Sequence, residues 1–337
     1  MKRVVLFCGV LCALCVAGYG LCNGVIPFYA LSALSGLGAS AASTIPVSIL
    51  LVNWFRNKKG LAMSLAFSGS SLGSLCAVRV FTRFLQRFGW RYTYFLMGFV
   101  MLVIVCFVVL TIIEVYPEDK GLRPYGEDLI PHETLKEQLT GITQRAFLRT
   151  PVFWGLFASI VWFPIVILGV QNNLSAYLTD GGVSLAVATN TLSFLIAVQL
   201  VGKFILGPIL DRVGVSIGMV YIAGCYICGM YLMLVANGSD TTLLLAVALI
   251  GLSGGVVTIV PPYLTAEIVG QRDYAKIIGN INIAVQLGSA LNTAVTNFIY
   301  DNCGGYEVAW MLYMVMMLLT CAISIVAYRK GKHFSSL

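Results

Sequence analysis

The sequence predicts an all-α protein that threads a membrane many times, on three observations. First, the 337 residues are 59% hydrophobic and 10% charged, with mean hydropathy +0.90; soluble domains carry about 25% charged residues. Second, the apolar residues fall in ten runs, at 4–22, 27–53, 61–82, 92–113, 152–172, 185–209, 215–235, 241–262, 277–299 and 307–327. Each is close to or above the ~20 residues that cross a hydrocarbon core of ~30 Å. The runs are continuous rather than alternating, which excludes the strands of a membrane barrel. Third, the basic residues are sided. With the N-terminus in the cytoplasm, inner loops hold sixteen lysines and arginines, and the outer side holds only Arg79, Arg83, Arg87 and Arg91. That is the inside-positive bias of membrane proteins. An even number of spans returns Arg329, Lys330 and Lys332 to the same side, so both termini are expected in the cytoplasm, at a plasma (inner) membrane. The net charge of +7 therefore reports topology, not a nucleic-acid surface.

Taken in order, the first four runs make an N-terminal bundle over residues 1–113. Its second and third runs gather small residues: Gly36, Gly38, Ser40 and Ser43, then Ser64, Ser68, Gly69, Gly73 and Ser74. Gly69 and Gly73 have the spacing that lets helices approach closely. Arg79, Arg83 and Arg87 recur every four residues, as interfacial anchors or as a lure for anions at the outer mouth. Residues 114–150 form a cytoplasmic central loop with seven of the fourteen acids, broken by Pro117, Gly121, Pro124, Gly126 and Pro131. Within it, Leu135, Leu139 and Ile142 predict an amphipathic surface helix over 133–149. Residues 151–337 hold the remaining six runs, a C-terminal bundle.

Several chemistries are not expected. Nine of the ten cysteines lie in or at the ends of spans, where they pack as small polarizable groups. Cys225 and Cys228 form a CxxC in mid-helix, and His132 and His333 stand apart, so neither a disulfide framework nor a metal site is predicted. No nucleophile–base pair or phosphate loop suggests an enzyme, and no cofactor is implied.

Three loop motifs carry more. The sixth run ends on Gly207-Pro208-Ile209-Leu210-Asp211-Arg212-Val213-Gly214. The glycines allow close helix approach and a sharp turn; Asp211 can cap or pair, and Arg212 can answer a neighbouring carboxylate. Such contacts hold one face of a carrier shut and break when it opens. The stretch resembles the second-half loop motif of the major facilitator superfamily, with Val215 and Ser216 in place of the usual basic residues. Asn53-Trp54-Phe55-Arg56-Asn57-Lys58-Lys59-Gly60-Leu61-Ala62 is similar to the loop between that family's fourth and fifth helices. Together with Lys120-Gly121-Leu122-Arg123-Pro124-Tyr125-Gly126-Glu127 and the outer Gly89-Trp90-Arg91, it resembles the monocarboxylate porter and oxalate:formate antiporter branch. The resemblance covers essentially the whole chain and implies two helical bundles rocking around a midplane site.

Lys203 is the sharpest single residue. It lies eight residues before Asp211, about 12 Å deeper along a helix axis. A charge inside a span costs about 3 kcal/mol or more, so it usually faces a cavity and serves a function. The resemblance implies a substrate-binding arginine at this place, here replaced by a lysine that holds a carboxylate as a point charge. The competing reading is a lysine snorkelling to the surface. Proton-coupled relatives carry an aspartate four residues earlier, where this chain has Gln199. No acid lies deep in any span, which points to exchange of one anion for another. In the ninth run Asn282, Gln286, Ser289 and Thr293 share one helix face; they line a cavity or bond to neighbouring helices.

The reading is a secondary transporter of small organic anions, mono- or dicarboxylates, embedded in a lipid bilayer. Substrate-binding residues are Lys203, Gln199, Asn282 and Gln286; gating-loop residues are Gly207, Asp211, Arg212 and Gly214. Two other readings stand beside it: an efflux carrier for drugs or amphipaths, and a truncated membrane protein that does not transport. The last arises because the resemblance implies six helices in each half, whereas four runs precede the central loop. Met1-Lys2-Arg3 also resembles the basic tail of the first-half motif, so a longer parent with two more spans is expected.

Overall fold

The computed structural model describes residues 2–42, 44–126, 141–235 and 240–334. Every regular element among them is helical. In chain order these are α1 (Lys2–Gly18), α2 (Val25–Ala42), α3 (Thr44–Trp54), α4 (Lys59–Phe107), α5 (Gln144–Phe147), α6 (Pro151–Asp180), α7 (Leu185–Arg212), α8 (Val215–Val235), α9 (Asp240–Leu252), α10 (Val256–Val269), α11 (Tyr274–Cys303) and α12 (Glu307–Gly331). Among the described residues, nine helical segments are long and apolar enough to cross a membrane. The tenth expected span is α11, whose 30 residues exceed the length needed but include a polar face.

Three expected boundaries differ. The run 61–82 and most of the run 92–113 belong to one long element, α4, which turns only at Gly89, where φ is 77° and ψ 172°; a π-helical turn over Val108–Ile112 follows it. A side chain is strained at such a φ, so glycine supplies the corner. Thr93 Oγ1 donates to the Gly89 carbonyl at 2.8 Å and closes the restart of the helix. Arg83 and Arg87 therefore lie on the helix itself rather than in a loop. The run 241–262 splits into α9 and α10 around Ser253-Gly254-Gly255. Of the amphipathic helix expected over 133–149, residues 133–140 lie outside the described residues. Gly141 to Thr143 are not helical, because Gly141 pairs with Gly270 in a bridge, and only the one-turn α5 follows.

The chain divides into two compact units, Met1–Arg56 with Gly73–Glu127, and Asn57–Leu72 with Asp128–Leu337. In the first unit α1 packs along α2, and α1 also meets the end of α4. A Cβ on Gly98 would sit 2.6 Å from Ala17 Cβ and 2.7 Å from the Ala13 carbonyl, so only glycine permits that crossing. Here two of the sequence motifs meet. Tyr125 N–H donates to the Trp54 carbonyl at 2.7 Å, Arg56 N–H to the Tyr125 carbonyl at 3.0 Å, and the Phe55 and Tyr125 rings lie 5.8 Å apart. Trp54 Nε1 donates to the Glu114 carbonyl at 2.9 Å and Asn53 Nδ2 to that of Val115 at 3.2 Å. Lys2 pairs with Glu114 at 2.9 Å and holds its carboxyl below the ordinary range.

In the second unit α6 is the hub. Most of its apolar residues are buried, whereas few are in the Val80–Ile112 segment of the first unit. Helices α7, α11 and α12 surround it. Residues 141–149 are tied down by Asp273, whose Oδ2 accepts the Gln144 N–H at 2.9 Å and whose Oδ1 accepts from Lys276 Nζ at 2.9 Å. The Gln144 backbone bond and then the Lys276 ammonium hold the Asp273 carboxyl below its usual range.

Candidate functional site

Two clusters of polar side chains, both in the second unit, stand out from an otherwise apolar helical packing. The first lies where the start of α4 crosses α7. Gly207 rests on the Gly60 carbonyl and the Ser64 side chain so closely that any Cβ would clash. At that crossing the Asp211 carboxylate accepts the Gly60 N–H on Oδ1 and the Leu61 N–H on Oδ2, both at 2.8 Å. These are amides of the first turn of α4, which lack partners inside their own helix. Asp211 thus caps a neighbouring helix, where its negative charge also meets the positive end of the helix dipole. Lys59 Nζ adds a contact to Glu267 Oε1 on α10 at 3.5 Å. Gly214, with φ 94°, ends the α7 turn as the loop motif requires. Arg212 is exposed, and no carboxylate among the described residues pairs with it.

Deeper along α7 sits Lys203, 5% exposed. Its ammonium donates to Ser71 Oγ at 2.9 Å, Ser70 Oγ at 3.2 Å and the Phe67 carbonyl at 3.3 Å. Every partner is neutral, and among the described residues no aspartate or glutamate is buried. The side chain does not snorkel to an exposed end; it is held by α4.

The second cluster joins α6, α7 and α11. Gln199, one turn before Lys203 and buried, donates from Nε2 to Gln171 Oε1 at 3.0 Å. Asn172 Nδ2 donates to Asn292 Oδ1 at 2.9 Å, and Thr293 Oγ1 donates to the same oxygen at 2.9 Å. Asn292 Nδ2 turns back to the Ser289 carbonyl. Asn282 is half-buried and Gln286 exposed, and neither forms a side-chain hydrogen bond among the described residues. An amide left open in a membrane helix needs water or a ligand to satisfy it.

The sequence therefore named Lys203, Gln199 and Asp211 but not their partners. Ser70, Ser71, Gln171, Asn172 and Asn292 were missed. The run Gln171-Asn172-Asn173 was the available signal, since consecutive amides inside an apolar span are costly to leave unbonded. Asn173, part of a glycosylation pattern, is buried and donates to the Gly169 carbonyl at 2.8 Å, which leaves it unsuited to carry a glycan. The first unit holds a separate cavity of about 640 Å³ beside Gly89, lined by Ser74, Phe81, Leu85, Trp90, Tyr94 and Met97 among others.

The family model described as the Major Facilitator Superfamily matches residues 1–238 and 171–336. The chain belongs to the major facilitator superfamily. Among its relatives is "MFS-type transporter 1" of Ophiocordyceps sp., 24% identical over 277 residues, which cover 81% of this chain and 57% of the relative. Another is "Monocarboxylate transporter 12" of Homo sapiens, 22% identical over 317 residues, covering 88% and 61%. The chain thus spans about three fifths of the length of these curated relatives. The human organic anion transporter MFSD10 superposes with a TM-score of 0.74 at 12% identity, over 96% of this chain and 76% of that one. At that identity the likeness establishes the fold, that of integral membrane transporters. Relatives named for monocarboxylates agree with the branch that the loop motifs resemble.

Proposed function

We propose that this major facilitator chain carries a small organic anion across a lipid bilayer by alternating access, with Lys203 holding the negative charge. One observation carries the reading: a buried ammonium whose partners, among the described residues, are neutral hydroxyls and a carbonyl. A buried cation without a counter-ion is costly, and a substrate carboxylate would remove that cost. Gln199 stands one turn away and, with Asn282 and Gln286, offers amides to the rest of the substrate. The absence of a buried acid among the described residues favours exchange of anions over proton coupling. Asp211 and the glycines around it act as the gate that closes one side. Relatives named for monocarboxylates, and a structural neighbour titled an organic anion transporter, support the substrate class.

The test is counterflow in proteoliposomes with oxalate, formate, lactate and pyruvate, with and without Lys203→Gln. Loss of exchange in Lys203→Gln, with partial retention in Lys203→Arg, is expected; normal exchange by Lys203→Gln defeats the reading. A second reading, efflux of amphipathic compounds, draws on the largely apolar cavity around Trp90 and Tyr94. It predicts competition by hydrophobic compounds and none by carboxylates. The sidedness of the charges supports cytoplasmic termini. His333→Cys shielded and Asn302→Cys labelled from outside intact cells is the expected pattern; the reverse overturns it.

A further inference from the structure

In this structure all three donors of the Lys203 ammonium are engaged, and every acceptor lies on α4: Ser71 Oγ, Ser70 Oγ and the Phe67 carbonyl. An ammonium has three donors and no more. A carboxylate can therefore bind Lys203 only by displacing at least one of these bonds. We propose that Ser70, Ser71 and the Phe67 carbonyl are stand-in ligands for Lys203, so that arrival of the anion releases α4 from α7. The inference rests on Lys203 being the anion-binding group.

Chemistry favours the exchange of partners. The ammonium's present partners are neutral acceptors, whereas a carboxylate brings an opposite charge as well as an acceptor and so offsets the cost of the buried cation; a carboxylate therefore outcompetes a hydroxyl for the ammonium. Access is also present. Lys203 and Ser71 are 5% and 6% exposed, whereas Ser70, the residue before Ser71 on α4, is exposed. The ammonium thus lies one hydroxyl from an open face. The rest of the seam explains why this bond matters. Ser64, Phe67 and Ser71 recur at three- and four-residue spacing on one face of α4. Ser64 meets Gly207, and Gly60 and Leu61 meet Asp211. The seam therefore has one clamp of fixed charge, Asp211, and a second, Lys203, that an anion can open. Ser70 and Ser71 are positioning residues: they act through Lys203 and hold it until the anion takes their place.

The test uses the purified protein in nanodiscs, with Ser68→Cys as the reporter in a background whose native cysteines are replaced by serine. Ser68 is 3% exposed and shares the α4 face of Ser64 and Ser71. Oxalate or pyruvate should speed maleimide labelling of the reporter. Ser70→Ala with Ser71→Ala should label at the fast rate without any anion. The same pair should bind radiolabelled oxalate about tenfold more tightly, the factor that ~1.4 kcal/mol represents, near the low end for a hydrogen bond to a charged group. Ser71→Thr keeps the hydroxyl and should restore both slow labelling and ordinary affinity. Weaker oxalate binding by the alanine pair overturns the proposal, as does labelling that neither oxalate nor the alanines change. Lys203→Gln separates the two levels. If it abolishes oxalate binding while the alanine pair behaves as the parent, only the stand-in role fails. If it binds oxalate normally, the anion-binding reading fails with it.

Discussion

Replacing Asp211 by asparagine removes a charge while keeping the shape of the side chain, and the structure sets the size of the effect. Asp211 accepts two N–H groups at the start of α4, each at 2.8 Å. An asparagine oxygen can keep one of them; its NH₂ group then faces the other donor, which is left without an acceptor. One hydrogen bond to a charged group is worth about 1.5–3 kcal/mol net. The lost interaction with the helix N-terminus adds about 0.3–1 kcal/mol. Asp211 is half-exposed, so water offsets part of this, and a net loss of about 1.5–3 kcal/mol is expected. At 1.4 kcal/mol per factor of ten, that is an increase of roughly tenfold to a hundredfold in the population with the α4 terminus detached. Hydrogen exchange of the Gly60 and Leu61 amides reads this directly, because those amides are the donors. Their protection should fall by that factor in Asp211→Asn, and fall less in Asp211→Glu, which keeps the charge. Unchanged protection in Asp211→Asn would falsify the capping role and, with it, Asp211 as part of the gate.

Three further outcomes follow from the same geometry. Lys203→Met removes a buried charge whose cost is about 3 kcal/mol; it should leave thermal stability equal or raised in detergent while abolishing anion exchange, and a large drop in stability would show that the ammonium is a structural anchor. Gly207→Ala places a methyl against the Gly60 carbonyl and Ser64, so an overpacking cost of about 1–3 kcal/mol is expected in the unfolding midpoint; a neutral result would mean that the crossing can open at no cost. Asp273 has a folded-state pKa held below its ordinary value of 3.8, by the Gln144 amide first and Lys276 second. A depressed carboxylate contributes stability that is present above its unfolded pKa and lost as pH falls through the folded one. Protease resistance of residues 141–149 should therefore stay constant from pH 7 to about pH 4 and decline below that, and Asp273→Asn should be less resistant at neutral pH and lack the acid transition.

Local chemistry alone was enough for the helical spans. Each is a continuous run of side chains that hydrocarbon favours, and a backbone in lipid can satisfy its polar groups internally only as a helix. The same local logic exposed Lys203, because one ammonium in an apolar run is conspicuous whatever surrounds it. It also marked the glycines of the 207–214 motif, since the end of α7 at Gly214 depends on a backbone angle that glycine tolerates. The partners were not legible. Ser71 is 132 residues from Lys203, Asp211 is 151 from Gly60, and Asn292 is 120 from Asn172. Only packing brings such pairs together, and a serine or amide in a helix looks the same in sequence whether it faces a neighbour, a cavity or its own backbone. The corner at Gly89 was hidden for a related reason: one glycine with positive φ turns the chain, so no polar loop marks the junction. The sequence by itself determined a many-spanning helical chain with a cation in its apolar interior. The tertiary structure decided what that cation and the Asp211 carboxylate hold, because hydrogen-bond partners depend on distances that helix periodicity does not contain.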